Sequence, residues 1–118
     1  MTLIETPQQV VVELARIRAE SERGVALLRD AEEDAVRLSL AADRIENLTL
    51  LETKGTVADK EATAALHAAE AREAAELAKV KVNYIKTKLK HLTEAQMAVQ
   101  TSARMVEIQW KTAGIGER

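Results

Sequence analysis

The chain has no cysteine and no phenylalanine, and only one proline, one tyrosine and one tryptophan in 118 residues. Without cysteine there is no disulfide, no thiolate metal site and no cysteine nucleophile, a usage that allows an intracellular setting. Aromatic side chains normally supply the bulk of a globular core. Here burial falls to Leu, Ile, Val and Ala packed between closely spaced helices. No segment approaches the roughly 18 consecutive apolar residues of a membrane span, and no basic n-region with an apolar h-region opens the chain. A soluble, cytoplasmic protein with no membrane partner is the expectation. The net charge of −2 is too small to indicate a partner class.

What is abundant is Ala, Leu, Glu, Lys and Arg, the composition of long helices. Between Val57 and Ala113 apolar residues follow a 4-3 heptad spacing broken only at Glu61 and Gln96. The seam runs through Ala64, Ala68, Ala71, Ala75, Ala78, Val82, Ile85, Leu89, Leu92, Val99, Ala103, Val106 and Trp110. Such a stripe predicts one long helix covered by another. At about 1.5 Å per residue that helix reaches roughly 85 Å. A second seam passes through Val10, Leu14, Ile17, Leu28, Ala31, Ala35, Leu38, Ala42 and Ile45, with weak points at Ser21, Gly24 and Thr49. Gly24 in a helix interior marks a bend or a close helix contact. Val11, Val25, Leu27, Val36, Leu40, Leu48 and Leu51 widen this stripe beyond a two-helix seam, as suits a helix with two or more neighbours.

Thr6, Pro7 and Gln9 place an N-cap hydroxyl, a proline at N1 and a capping-box glutamine at the first helix start. Thr53-Lys54-Gly55-Thr56 is the only internal turn signal. Gly55 can end a helix in a left-handed conformation, and Thr56 with Asp59 can cap the next. The reading is an all-α chain, residues 1–118 forming a single elongated antiparallel helical hairpin. Its helices span about 7–52 and 57–113, joined by a turn at 53–56, with a frayed C-terminus. One continuous helix containing a glycine is the competing reading. Folding at Gly55 pairs residues whose numbers sum to roughly 107–110, by helix geometry. Ile45, Leu48 and Leu51 then face the alanine-rich residues 58–69, Leu14 and Ile17 face Leu89 and Leu92, and Lys88 comes opposite Glu20. Beyond about Arg104 the second helix outruns the first. Met105, Val106, Ile108 and Trp110 then project as an apolar overhang, with only Leu3 and Ile4 nearby. Such a patch signals self-association or a partner surface, so a dimer or higher oligomer, as a helical bundle, is expected. Trp110 would be buried in the oligomer core or anchor a different protein.

No pattern supports catalysis. His67 and His91 lie 24 residues apart on one helix, and no zincin or di-iron spacing occurs. No phosphate-binding glycine loop or nucleophile elbow is present. Glu32-Glu33-Asp34 could hold a cation weakly, or simply form a solvated acidic face. The expectation is a non-enzyme without cofactor or metal. Charge is segregated, however. No acidic residue falls between Glu76 and Glu94, whereas Lys79, Lys81, Lys86, Lys88 and Lys90 do, with Tyr84 and His91 among them. Residues 7–52 hold ten acids and six arginines. The lysines could track a single-stranded nucleic-acid backbone with Tyr84 as a stacking face. Alternatively, Lys79, Lys81, Lys86 and Lys88 pair with acids of the first helix across the seam.

Two segments carry a family likeness: Lys54-Gly55-Thr56-Val57-Ala58-Asp59-Lys60-Glu61-Ala62, and Ser102-Ala103-Arg104-Met105 followed by Trp110. Over about residues 50–112 they resemble a loose family of small helical phage proteins. There a Gly-Thr/Ser-Val turn and a charged, alanine-rich helix precede a Ser-x-x-Arg-Met…Trp-like ending. Members are often encoded near phage recombination and replication functions. The resemblance implies an accessory role there, with a recombination or replication protein or single-stranded DNA as partner, and it assigns no catalytic residue. The Trp-x-Gly turn of the secreted helical hairpins is missing. Three functions follow as expectations: an oligomeric coiled-coil adaptor or scaffold, a single-stranded-DNA accessory using residues 79–90, or an inhibitor of a host protein.

Overall fold

A computed structural model describes residues 6–116, and side chains up to Gly114. Two helices account for nearly all of it, α1 (Pro7–Glu52) and α2 (Val57–Gly116), with no strand among the described residues. The chain is therefore a helical hairpin rather than one continuous helix. The α1 start is a complete capping box. Thr6 Oγ1 accepts from the Gln9 amide at 3.2 Å, and Gln9 Oε1 accepts from the Thr6 amide at 3.0 Å. Gly55 breaks the chain with φ of +130°, where an L side chain is strained. Thr56 Oγ1 then accepts from the Asp59 amide at 3.1 Å, and Asp59 places negative charge in the first turn of α2. At the far end α2 continues to Gly116, carrying Gly114 within the helix, three residues past the expected end at 113.

The helices form two compact units. The first, Ala26–Lys86, contains the turn and the flanking halves of both helices. Its centre is Ala31, Ala35, Ala78 and Val82, with Leu28, Leu38 and Ile85 packed against them. Ala42, Ala64, Ala68 and Ala75 are also buried. This seam consists mostly of alanine, which lets two helix backbones approach toward the lower end of the usual interaxial range of about 8–10 Å. Thr49 is its buried polar residue, and its hydroxyl donates to the Ile45 carbonyl at 2.7 Å, so the weak point in the heptad is satisfied within the helix.

The second unit joins α1 up to Val25 with α2 from Thr87 onward. Ile17, Val99 and Val106 form its buried positions, with Val10, Leu14, Leu89 and Leu92 half-buried. Gly24 is a close helix contact, not a free hinge. A Cβ built there would stand 2.6 Å from Leu89 Cδ2, so the leucine lies over the bare glycine backbone.

The seam positions from Ala64 to Val106 are buried or half-buried apart from Gln96, but Ile45, Val57, Trp110 and Ala113, also expected on the seams, are exposed, and the register differs. In the Ala26–Lys86 unit Arg72 reaches Asp43 and Glu46, with numbers summing to 115 and 118. In the other unit Gly24 meets Leu89, summing to 113. These values exceed the expected 107–110 because the first turns of α2 extend past the end of α1. Val57 and Glu61 are exposed, and Ala64 is the first buried seam residue. Two expectations change with it. Leu48 and Leu51 do not pack on the alanine-rich start of α2 but are exposed, Leu51 at 83%. At the other end α1 covers α2 farther than expected: Val106 is only 4% exposed and shares a groove with Pro7 and Val10. Leu3 and Ile4, expected near that end, lie outside the described residues.

Two substitutions test these features. Gly55→Ala should lower stability by about 1–3 kcal/mol in chemical denaturation, because alanine resists the positive φ. Gly24→Ala adds helix propensity worth about 1 kcal/mol but displaces Leu89. Its net gain should therefore be at least about 0.5 kcal/mol larger in a Leu89→Ala background than in the native one. Equal effects in both backgrounds would remove the contact.

Candidate interaction surfaces

An α-helix paired through one seam keeps its outer face for solvent, and side chains about half a turn from the seam stay exposed. Here those outer faces are not polar. On α1, Val36 and Leu40 stand exposed with Ala41 in a shallow groove rimmed by Arg29, Glu32, Glu33, Arg37 and Arg44. On α2, Leu66, Leu77, Val80 and Tyr84 are all more than 60% exposed. Many large aliphatics thus lie outside, while much of the seam between the helices is alanine.

The lysine run lies on one helix but not on one face. At 100° per residue, Lys79 and Lys86 fall on one flank of the seam and Lys81 on the opposite flank. Lys88 and Lys90, in the other unit, likewise fall on different flanks of Leu89. Lys79 Nζ pairs with Glu76 of its own helix at 3.0 Å, and Lys86 Nζ reaches Glu32 of α1 at 3.9 Å. Of the interhelical pairings expected for these lysines, the Lys86–Glu32 contact forms, while Lys79 turns to its own helix. Lys81, Lys90 and Tyr84 are exposed, as is Lys88. A backbone-tracking stripe needs its cations on one side; this spacing divides them.

The strongest interhelical charge contact belongs to a residue outside the lysine run. Arg72 donates to Asp43 Oδ1 at 2.9 Å and to Glu46 Oε2 at 2.7 Å. These two hydrogen bonds, with the attraction of both carboxylates, raise the already high guanidinium pKa. Sequence reasoning passed over Arg72. The signal was available: a lone cation beside seam residue Ala71, among Glu70, Glu73 and Glu76, facing an acidic stretch of α1.

The C-terminal surface is smaller than the expected overhang. Met105, Ile108 and Trp110 are exposed, Trp110 at 58%, but Val106 is not among them. Val106 lies on the seam side, and α1 reaches far enough to cover it. Trp110 lines the groove with Pro7, Val10, Ala103, Val106, Glu107 and Lys111. The Glu107 carboxyl is held below its usual range by hydrogen bonding to Lys111, 2.9 Å away.

Among the described residues no three His, Asp or Glu side chains are placed to hold a metal, and no helix is long and apolar enough to cross a membrane. His67 and His91 are both exposed. Asp34 of the acidic triplet pairs with Arg37 one turn on. No protein-family model, curated protein or solved structure matches the chain.

Proposed function

We propose that the protein is a non-enzymatic coiled-coil scaffold that works as an oligomer, presenting helical faces to itself and to another protein. The observation that carries this reading is the apolar outer surface: Val36, Leu40, Leu66, Leu77 and Val80 face outward, while alanine supplies much of the seam. Each buried alanine methyl contributes only about 0.8 kcal/mol, whereas burying a whole leucine or valine contributes roughly 1.5–3 kcal/mol. The hairpin alone leaves most of its apolar capacity unused, and association with other helices would use it. The partner setting is that of the small helical phage proteins the sequence resembles: an accessory, cytoplasmic role beside a recombination or replication protein.

Single-stranded DNA binding through Lys79, Lys81, Tyr84, Lys86, Lys88 and Lys90 is the second reading, supported by the exposure of Lys81, Tyr84 and Lys90. It is the weaker one, because the lysines divide between two flanks.

Light scattering on the purified protein should give a mass that is a multiple of 13.0 kDa at micromolar concentration. In parallel, the anisotropy of a labelled DNA oligonucleotide should stay flat at low salt. A 13.0 kDa particle would contradict the scaffold reading. Salt-sensitive DNA binding that is lost on Lys81→Glu/Lys90→Glu would replace it with the nucleic-acid one.

A further inference from the structure

On the outer face of α2, within the Ala26–Lys86 unit, Leu66, Ala69, Glu73, Leu77, Val80 and Tyr84 follow one another at steps of three and four, and all six are exposed. That spacing makes a second continuous stripe, away from the buried line Ala64, Ala68, Ala75, Ala78 and Val82. The charges around the stripe are sorted along its length. Its first half carries Glu70, Glu73 and Glu76, and its second half carries Lys81 and no acid, whereas Lys79 and Lys86 lie toward the seam side of the helix. None of the chain's ion pairs among the described residues involves Glu70, Glu73 or Lys81.

We infer that this stripe is the docking site for a second copy of the chain, bound antiparallel across a two-fold axis between Leu77 and Val80. The inference rests on the scaffold reading and names its interface. An isologous contact requires the patch to complement itself. The antiparallel arrangement does so: the acidic half of one copy, with Glu70 and Glu73, lies along the half of the other that carries Lys81. Leu77 packs on Val80 of the second copy, and Glu73 comes opposite Tyr84 of the second copy. A parallel arrangement would stack acid on acid and lysine on lysine, which like-charge repulsion opposes.

The test uses charge reversal on the full chain, followed by light scattering at low salt, with circular dichroism to verify that each variant keeps its helices. Glu70→Lys/Glu73→Lys makes both halves basic, and Lys81→Glu makes both acidic. Each alone should weaken self-association by at least about tenfold, and an equimolar mixture of the two should restore a dimer. Leu77→Lys should separate the copies without unfolding the hairpin, because Leu77 makes no seam contact. Native-like dimers from either charge variant, or a mixture that stays monomeric, would overturn the assignment. If the native protein is an oligomer that ignores all these substitutions, the face is wrong and the scaffold reading stands. If the native protein is a monomer, both fall.

Discussion

Everything in this protein depends on how closely two alanine-lined helices can meet. Ala31, Ala35 and Ala42 of α1 and Ala64, Ala68, Ala75 and Ala78 of α2 put only methyl groups at most of the buried contacts, with Val82, Leu28, Leu38 and Ile85 filling around them. At Gly24 the remaining methyl is absent too, and Leu89 occupies the space. Close approach brings many dispersion contacts but buries little apolar area per residue. The hairpin therefore has a well-defined seam and a thin core. Such a core leaves many of the larger aliphatic residues uncovered, and on both helices several of them line the outer face.

The capping and charge pattern support the same geometry. Thr6 and Gln9 fix where α1 begins, and Gly55 with Thr56 fixes where the chain reverses. Arg72 then ties α2 to two carboxylates one turn apart on α1. Exposed ion pairs contribute little to stability individually. A guanidinium bridging two acids does more for register than for free energy, since sliding by one turn would lose one of its partners.

Much of the fold was legible in the sequence because helical periodicity is a strong signal. The heptad positions from Ala64 to Val106 are buried or half-buried apart from Gln96, a residue that already broke the pattern. The register was not legible. The position of Gly55 gives the register only if α2 meets α1 as soon as it begins. The exposed Val57 and Glu61 show that the opening turns of α2 lie beyond the end of α1, and a heptad pattern carries no information about that offset. Val106 was misplaced for the same reason, being counted in an overhang although its seam position already pointed inward. The candidate surface was legible only in part. Segregation of lysine and glutamate was visible along the chain, but the division of the lysines between two flanks emerges only once the buried line between them is located.

The measurement that tests the alanine seam most directly compares Ala42→Leu with Ala19→Leu in chemical denaturation. Ala42 is fully buried between the helices, whereas Ala19 faces solvent on the same helix. A seam closed at alanine distance predicts that Ala42→Leu lowers stability by about 1–3 kcal/mol through overpacking, with Ala19→Leu within about 0.5 kcal/mol of native. An Ala42→Leu variant as stable as the native protein, or more stable, would contradict the close approach on which the structure depends.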